Sequence, residues 1–450
     1  MIALKRDLFL VLAALSGAAL VAFATTRYAR RLGRRTVLRS RARIDRFKLT
    51  RKQFVIDQVL ALPTVAVAVR QHVADHADGS RVTEDESWHR VRVYLNEIVP
   101  FFNILAYYRL GYWVSRALLG LFYKVSVEYE RPDPFRGLPR DSIVIYLMNH
   151  RSNADYVLVA YVMMGDVSIS YAVGEWARAF PLEYLFKTFG SYFIRRRFRE
   201  SLYHSVLEAY VQLITRNGVT QGVFPEGGLS RDGALRPGKI GLLDYALSVA
   251  RDPECRARMY VVPVGINYDR VLEDRTLLRE LETRAERPVS SRAQQIREVG
   301  SFLLSNIGRI VTGRWKRYGR AAVAIGAPVS IDAWMTDLES RNVLLAGLPR
   351  SERLPHVQEF CDSLLQRIGN VIPVTSVPLA CAAIQSFEAE FVPRDKLLER
   401  MAGMRDVLVE LNGRVVRADR DIEETFDRAY RMLRLRRIIA RAGDGYVVLP

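Results

Sequence analysis

A histidine and an aspartate five residues apart, His150 and Asp155, are the pair in this sequence best suited to acid–base chemistry. They follow an apolar run that ends at Met148, and on a single helix they would point about 140° apart. If His150 lies in a turn and Asp155 in the first turn of the next helix, the carboxylate can fold back onto the imidazole and raise its basicity, as a general base requires. Alternatively, Ser152 caps the helix, Asp155 completes a variant capping box, and His150 is an ordinary loop residue. The residues alone leave both interpretations open.

Three consecutive arginines, Arg195, Arg196 and Arg197, follow the apolar stretch at residues 190–194. On a strand, Arg195 and Arg197 would project to one side and Arg196 to the other. Guanidinium groups bind phosphate through paired hydrogen bonds, so this cluster suits a phosphorylated substrate. A basic surface that faces lipid headgroups explains the same residues equally well.

Paired glycines follow the next predicted strand, in the sequence FPEGGLSR at residues 224–231. Glycine lets the backbone approach a ligand closely, and polar side chains stand beside the pair. Open α/β sheets bind their ligands at the carboxyl ends of strands. We therefore expect a substrate site here, formed by Glu226, Gly227, Ser230 and Arg231.

Residues 233–240 nearly match a phosphate-binding P-loop. No serine or threonine follows Lys239, however, and no strand directly precedes the glycines, so we regard the match as accidental. Lys239 can still bind phosphate as a point charge.

Short apolar runs alternate with longer helical patterns through the middle of the chain. Strands are predicted at 142–147, 167–173, 191–194, 219–224, 260–267 and 321–325, with helices at 153–164, 201–215 and 242–249 between them. This alternation predicts an α/β domain with a mixed, largely parallel sheet flanked by helices. Pro263 lacks an amide hydrogen, so its strand is best explained as an edge strand.

Beyond about residue 331 strands become scarce. Residues 344–372 and 394–441 have the pattern of amphipathic helices, and the second stretch is strongly basic. The predicted organisation is an N-terminal membrane anchor with a basic flank (1–44), a helical, membrane-interfacial region (45–130), the α/β domain (131–335) and a helical C-terminal region (336–450).

The charge of the chain is its unusual bulk property. Its 450 residues include 67 Lys+Arg against 49 Asp+Glu, a formal net charge of +18. The content of 49% hydrophobic and 26% charged residues is typical of globular proteins and argues against a disordered or multi-span membrane protein. The positive excess indicates a polyanionic partner, which composition alone leaves as nucleic acid, anionic lipid or a phosphorylated substrate.

An uncharged segment at residues 8–24 is just long enough to cross a bilayer, since a spanning helix needs roughly 17–25 apolar residues. Five arginines follow it within residues 27–35, whereas only Lys5 and Arg6 precede it. By the positive-inside rule this favours a single membrane anchor, with the rest of the chain on the cytoplasmic face. A cleaved export signal ending in AFA at 22–24 is the alternative.

Residues 101–129 are aromatic and aliphatic but are interrupted by Arg109, Arg116 and Lys124. This composition suits a helix that lies in the membrane interface. The alternative is a core helix with a few exposed cations, and neither interpretation is a span.

Neither a metal nor a disulfide framework is expected. The cysteines Cys255, Cys361 and Cys381 are far apart and odd in number, and none has zinc-ligand spacing. His72 and His76 have helical metal spacing, but a solvated helix face explains them better. The sequence has no GxSxG element, so a serine nucleophile has no support.

Taken in order, four segments resemble the sequence blocks of the glycerolipid acyltransferase superfamily. The stretch from His150 to Asp155 looks like the HxxxxD motif of that family. GSYFIRR at 190–196 looks like its second block, FPEGGLSR its third, and VVPVGINY at 261–268 its fourth. The basic residues after the third block and the long C-terminal region are similar to the bacterial glycerol-3-phosphate acyltransferase branch.

This resemblance implies transfer of a fatty acyl group from an acyl thioester to the sn-1 hydroxyl of glycerol-3-phosphate, the first step of phospholipid synthesis. His150 would remove the hydroxyl proton while Asp155 orients the ring, and the alkoxide would attack the thioester directly. General-base catalysis of this kind contributes about 10²–10⁴-fold. No cofactor is implied beyond acyl-CoA or acyl carrier protein as co-substrate. The implied partners are these substrates and membrane phospholipid, with no nucleic acid.

The resemblance also assigns residues to the acceptor phosphate. They are Arg195, Arg196, Ser230, Arg231 and Lys239, in a pocket shaped by Glu226 and Gly227. One departure is Leu229, where the family usually has a basic residue. The missing contact leaves open whether Arg236 or Lys239 rebuilds the clamp. It also leaves open whether the acceptor is lysophosphatidate, dihydroxyacetone phosphate or a compound without phosphate.

Three other functions compete with this one. A 1-acylglycerol-3-phosphate (lysophosphatidate) acyltransferase would keep the chemistry and change the acceptor. A hydrolase would use water on the thioester. A non-catalytic basic protein would bind nucleic acid or anionic membrane, which explains the charge but not the order of the four blocks.

Overall fold

The computed structural model describes residues 46–76, 82–130, 138–139, 141–164, 166–178, 182–195, 198–274, 277–278 and 317–449. The predicted anchor at 8–24 and Arg196 lie outside the described residues.

Three helices open the described chain: α1 (Lys52–Leu60), α2 (Pro63–Asp75) and α3 (Glu84–Ile98). Pro63 occupies the first turn of α2, where its missing amide hydrogen costs nothing. A capping box begins α3, because the Glu86 amide donates to Thr83 Oγ1 (3.2 Å) and the Thr83 amide donates to the Glu86 carboxylate (2.9 Å). A π-helical turn, Ala106–Gly111, then leads into α4 (Tyr112–Phe122).

A mixed sheet forms the centre of the molecule. Its strands are β1 (Lys124–Tyr129), β2 (Ile143–Met148), β3 (Ser170–Val173), β4 (Tyr192–Phe193), β5 (Gln221–Val223), β6 (Met259–Tyr268), β7 (Arg320–Ile325) and β8 (Val329–Ser330). Their order is β1-β7-β6-β2-β5-β3-β4, with β8 also beside β6. Only β6 pairs antiparallel, with β7 and β8, so among the described strands the largely parallel sheet is confirmed.

Helices cover both faces of this sheet: α5 (Asp155–Met163), α6 (Leu182–Thr188), α7 (Ser201–Arg216), α8 (Gly241–Leu247), α9 (Pro253–Arg258), α10 (Ile331–Ser340) and α11 (Arg350–Val371). One cluster of buried side chains joins the sheet to α2, α3, α7 and α11. The opposite cluster joins it to α4 and α5. Every residue of β2 is buried, as its uninterrupted apolar run predicts for a central strand.

The expectation that Pro263 marks an edge strand is wrong, because β6 lies between β2 and β7. Pro263 stands where the antiparallel partner of β6 changes. Residues before it pair with β8, as Val261 does with Val329, and residues after it pair with β7, as Val264 does with Ile325. The missing amide hydrogen therefore falls between two ladders, while the Pro263 carbonyl still accepts from Gly326 (2.8 Å).

The C-terminal region is only partly helical. It contains α12 (Ser376–Gln385), α13 (Arg394–Glu410) and α14 (Ile422–Leu435), and also a three-stranded antiparallel sheet. That sheet consists of β9 (Phe391–Pro393), β10 (Ile439–Ala442) and β11 (Gly445–Val448).

The prediction of a helix to residue 441 is therefore wrong at its end. After α14, Arg437 takes a positive φ of 55°, and Gly443 with a φ of 54° turns β10 into β11. The GDG sequence with apolar residues on both sides is a hairpin signal that outweighs the basic helical pattern.

No single helix within the described ranges is long and apolar enough to cross a membrane. The helices α1 and α2 meet those criteria only when taken together, and the chain bends by 64° between them. In the 101–129 segment, α4 buries Ser115 and Leu119 but exposes Val114 and Leu118. It thus packs one side on the core and leaves an apolar side uncovered by the described residues.

Candidate active site

His150 and Asp155 lie beyond the carboxyl end of β2, in the turn that leads into α5. Nδ1 of His150 is 2.9 Å from Oδ2 of Asp155, the first residue of α5. Asp155 is fully buried, and the His150 side chain is 2% exposed. The carboxylate thus folds back onto the imidazole, the arrangement expected when a helix begins between the two residues.

Asp155 also closes the turn itself. Its Oδ2 accepts the backbone amides of Arg151 (2.7 Å) and Ser152 (3.0 Å), and its Oδ1 accepts the hydroxyl of Tyr268 at 2.6 Å. One carboxylate therefore closes the turn before α5 and orients the histidine. The N-cap of α5 is Ala154 and no side chain caps the helix, so the alternative with Ser152 as the cap is wrong. Burial, followed by the charge of Asp155, raises the pKa of Tyr268 well above its ordinary value, which keeps this hydroxyl a donor.

Aromatic rings fix the plane of the imidazole. Phe224 stacks on His150 with ring centroids 4.1 Å apart, and Tyr156 meets it edge-on at 5.4 Å. Because a carboxylate only accepts, the proton of a neutral ring sits on Nδ1 and leaves Nε2 as the basic nitrogen. No hydrogen bond joins Nε2 to the described residues, so it can take a proton from a substrate hydroxyl.

Glu226 joins the turn to the FPEGGLSR loop. Its Oε1 accepts the amide of His150 (2.8 Å), and its Oε2 accepts the amide of Arg236 (3.1 Å). The Ser230 amide in turn donates to the His150 carbonyl at 2.9 Å. Burial raises the pKa of Glu226, although both backbone hydrogen bonds oppose this shift.

Gly227 allows the loop to reverse. Its φ is +68°, and a Cβ at this position would lie 2.8 Å from Cδ of Lys239. The Lys239 chain therefore passes directly over the glycine, while its own amide donates to the Pro225 carbonyl at 2.7 Å. The sharp turn thus brings exposed Lys239 to the loop whose residues Glu226 and Ser230 hydrogen-bond to the backbone of His150.

Ser230 and Arg231 differ in their surroundings. Ser230 is buried, and its hydroxyl contacts the Ala234 carbonyl (2.8 Å) and Asp232 (3.2 Å), so it holds the loop closed. Arg231 is exposed. Of the basic residues assigned to the phosphate, Arg231 and Lys239 thus lie on the loop that contacts His150.

Arg195 lies in a different environment. It binds Glu97 through Nε (2.9 Å) and Nη2 (2.6 Å) and stacks on the rings of Tyr94, Phe198 and Tyr203. Glu97 also pairs with Arg178. The Arg195 guanidinium is therefore already occupied by a carboxylate and contacts neither His150 nor the FPEGGLSR loop.

Sequence reasoning missed three residues that hold the turn. Glu273 accepts the Ser152 hydroxyl (2.7 Å) and the Asn153 amide (3.1 Å), and burial raises its pKa. Asn149 is fully buried and exchanges two hydrogen bonds with the backbone of Ile266, at 2.7 and 2.9 Å. The third is Tyr268, which ends the fourth block. Their place beside the blocks was the only available signal.

Arg151 is a further basic residue that sequence reasoning overlooked. Its Nη1 lies 2.5 Å from the position of a Cβ on Gly233, so the side chain reaches the loop that follows FPEGGLSR. Burial lowers its pKa, which the charges of Glu226, Asp155 and Asp232 partly offset. A guanidinium thus stands between the turn and the loop, near the position where Leu229 removes a basic residue.

An apolar cavity of about 60 Å³ lies behind Tyr156, whose ring meets that of His150 edge-on. Val157, Ala160, Leu185 and Phe186 line it together with Tyr156. Such a lining suits a hydrocarbon rather than a polar ligand. One aromatic ring therefore separates His150 from an apolar cavity, and the FPEGGLSR loop contacts His150 directly.

Two family models match this chain. The acyltransferase model covers residues 133–267, and the model of the glycerol-3-phosphate acyltransferase C-terminal region covers residues 304–448. The first range contains the turn, the loop and most of β6. The second contains β7, α14 and the three-stranded sheet.

Curated relatives include glycerol-3-phosphate acyltransferases from Actinobacillus succinogenes and Aeromonas hydrophila. The first is 27% identical over 81% of this chain and 43% of its own length, and the second is 27% identical over 76% and 41%. The chain thus spans about two fifths of the length of these relatives.

A solved structure, the 1-acyl-sn-glycerophosphate (LPA) acyltransferase of Thermotoga maritima, is 18% identical with a TM-score of 0.31. It covers 71% of this chain and 95% of its own. With both family models matched in order over the site and the C-terminal region, the chain contains an acyltransferase domain followed by a glycerol-3-phosphate acyltransferase C-terminal region.

Proposed function

We propose that this protein transfers a fatty acyl group from an acyl thioester, carried by CoA or acyl carrier protein, to the sn-1 hydroxyl of glycerol-3-phosphate. The observation that carries the proposal is the buried His150–Asp155 pair, which contacts the FPEGGLSR loop and the cavity residue Tyr156. The names of the curated relatives support the choice of acceptor.

In the proposed reaction Nε2 of His150 takes the proton of the acceptor hydroxyl. The oxygen attacks the thioester carbonyl, the carbon–sulfur bond breaks, and the imidazolium returns its proton to the departing thiolate. Asp155 stabilises the imidazolium through the 2.9 Å contact with Nδ1. Because a thiolate is a good leaving group, positioning of the hydroxyl and its deprotonation are the main demands on the protein. No cofactor is required.

The acceptor phosphate would bind at the FPEGGLSR loop, with exposed Arg231 and Lys239 as its cations. Ser230, Glu226 and Gly227 then act by shaping the loop. Arg195 would reach phosphate only after leaving Glu97, so we assign it a weaker part, together with the adjacent Arg196.

The acyl chain would lie against the apolar surface beside this cavity, whose volume of about 60 Å³ admits only a few of its methylene groups. The π-helical turn and α4 expose Leu105, Val114 and Leu118, and α6 exposes Tyr184 next to the cavity residue Leu185. Exposed apolar side chains beside such a cavity are typical of a membrane-contacting surface. We propose that the protein works on membrane phospholipid at the cytoplasmic face of the inner membrane.

Membranes containing the full chain, supplied with glycerol-3-phosphate and a labelled acyl thioester, should form labelled lysophosphatidate. We expect His150→Ala to remove the activity, since no other described residue offers a base at this position. His89→Ala, an exposed histidine on α3, is the control and should retain it. A folded His150→Ala protein with full activity would overturn the assignment of the base.

A second acceptor, lysophosphatidate, is favoured by one observation. Leu229 replaces a basic residue with an apolar one beside the proposed phosphate site, where an acyl chain of the acceptor could pack. A panel of glycerol-3-phosphate, lysophosphatidate and dihydroxyacetone phosphate separates these candidates. Faster turnover of lysophosphatidate would move the proposed function to that acceptor, and release of free fatty acid without any acceptor would indicate a hydrolase.

A further inference from the structure

A second cavity, of about 750 Å³ and lined by basic residues, lies where the large sheet meets the C-terminal region. Its cations come from the start of β1, the start of β7 and one side of α14. They are Lys124, Arg317, Arg320, Arg428, Arg431 and Arg434. Asp269 is the one acidic residue among the described residues that line it.

Asp269 does not neutralise these cations through a side-chain ion pair. Its Oδ2 accepts the backbone amide of Arg320 at 2.7 Å. Its Oδ1 accepts the hydroxyl of Ser376 and the amide of Val377, both at 3.1 Å. The carboxylate therefore connects the start of β7 to the start of α12. Of the arginines that line the cavity, Arg428 forms an ion pair with Glu424 at 2.6 Å.

Arg320 has unused hydrogen-bonding capacity in this cavity. Arg320 is only 8% exposed, and its Nη1 donates a hydrogen bond to the Ser126 hydroxyl at 2.7 Å. Its buried Nη2 has no hydrogen-bond partner. Burial lowers the pKa of Arg320 first, and the neighbouring charges of Arg420 and Arg428 lower it further. A buried donor surrounded by like charge is an unfavourable arrangement that a bound anion would relieve.

Two other arginines of the described residues are paired with carboxylates. Arg353 binds Asp244 through Nε and Nη2 at 2.9 and 2.7 Å. Arg256 binds both Asp332 and Glu339. The side chain of Arg320, by contrast, has no ion pair with a carboxylate of the described residues.

This cavity is separate from the site at His150. Alternate residues of β7, such as Ala321 and Val323, pack in the same cluster as Tyr156, whose ring touches His150. Successive side chains of a strand point to opposite faces, so Arg320 faces the other side of the sheet. Lys124, its register partner on β1, lies on that side too.

We propose that this cavity binds a phosphate group, with Arg320 at its floor and the exposed Arg431 and Arg434 at its mouth. Guanidinium donors match phosphate oxygens in geometry and in charge. The phosphate can belong to an anionic phospholipid headgroup or to a soluble phosphate compound, since both present the same oxygens. The inference does not depend on the proposed acyl transfer.

Hydrogen–deuterium exchange on the full chain, measured by mass spectrometry, locates the binding. The probes are inorganic phosphate, chloride at equal ionic strength, and phosphatidylcholine vesicles with and without phosphatidylglycerol. We expect phosphate to slow exchange in peptides from residues 317–325 and 422–437. Peptides from residues 224–240 report the acceptor site separately.

The test variant is Arg431→Gln with Arg434→Gln, two exposed residues whose replacement leaves the core intact. The half-protecting phosphate concentration at 317–325 should rise about tenfold or more, because two charge-assisted hydrogen bonds are lost. Arg400→Gln with Arg437→Gln removes the same charge outside the cavity and should change that concentration by less than about twofold.

The outcomes divide as follows. Protection by free phosphate, or only by vesicles that contain phosphatidylglycerol, supports the site and identifies the source of the phosphate. Equal protection by chloride, equal protection in the test variant, or no protection by any phosphate probe overturns it.

Discussion

The carboxylate of Asp155 has two tasks, since it orients His150 and accepts the amides of Arg151 and Ser152. Asp155→Asn keeps the shape but replaces one acceptor oxygen with a donor, which disfavours the tautomer with a basic Nε2. We expect kcat to fall about 10²–10⁴-fold with little change in KM for the acceptor. Steady-state kinetics measure both, and Asp141→Asn at an exposed ion pair is the control. Unchanged turnover in the Asp155→Asn protein would show that the pair does not catalyse.

The buried carboxyl of Glu273 should make the free energy of unfolding depend on pH. Burial raises its pKa above the ordinary value of 4.5, so in a window above that pH the folded protein holds this proton more tightly than the unfolded chain does. The contribution of Glu273 to the free energy of unfolding therefore decreases as pH rises through that window. Glu273→Gln cannot titrate and should lack the decrease.

The measurement is urea unfolding of wild type and Glu273→Gln between about pH 4 and 7. The free energy of unfolding of wild type minus that of the variant should become smaller as pH rises. A difference that is constant or grows with pH would contradict the raised pKa.

Among individual residues, the sequence predicted the contacts between neighbours along the chain. His150 and Asp155 are five residues apart, so one turn brings them together whatever the rest of the fold does. Tyr268 and Glu273 reach the same turn from more than a hundred positions away, and only the pairing of β6 beside β2 brings them there. Spacing within one segment carries no information of that kind.

Among the elements, the FPEGGLSR loop depends on the backbone freedom of one of its two glycines. Gly227 has a φ of +68° with Lys239 packed over it, whereas a Cβ on Gly228 would have no atom within 4 Å. Gly227→Ala should strain the turn and displace Lys239. We expect KM for the acceptor to rise about tenfold, whereas Gly228→Ala should stay near wild type. Equal KM values for the two variants would show that Lys239 does not bind the acceptor.

The element predictions failed where a partner strand overrides a residue preference. Pro263 indicates an edge when read alone, but β7 and β8 divide the antiparallel side of β6 and leave the proline between them. Likewise, the basic pattern up to residue 441 suits a helix, but β11 provides a partner for β10. Most other predicted strands and helices lie where expected, because their apolar runs match their burial.

For the whole molecule, Asp269 connects the large sheet to the C-terminal region, because it joins β7 to α12 through three hydrogen bonds. Asp269→Ala removes all three and should lower the free energy of unfolding by about 2–4 kcal/mol. Urea unfolding followed by tryptophan fluorescence measures the change. Asp419→Ala, which removes an exposed ion pair with Arg417, is the control and should leave the midpoint unchanged. Equal midpoints in the two variants would show that Asp269 does not hold the two regions together.

The net charge of +18 could be read from composition, but its distribution could not. Residues that are distant in sequence, such as Lys124, Arg320 and Arg431, meet only through the pairing of β1 with β7 and the docking of α14. The helical pattern of residues 394–441 showed that this stretch is strongly basic, but not that three of its arginines, Arg428, Arg431 and Arg434, line a cavity.

The same pairing sets a condition on biosynthesis. β1 lies beside β7, with Lys124 opposite Arg320. Its partner therefore leaves the ribosome about 200 residues later, on the order of 10–40 s at usual rates of translation. During that interval the apolar residues of α4 and β1 lack their final cover, and for about the last 50 residues the edge of β6 does too, which exposes them to wrong pairing with other nascent chains. Shielding of this half-built sheet by a chaperone or the membrane surface until residue 325 emerges would limit such pairing.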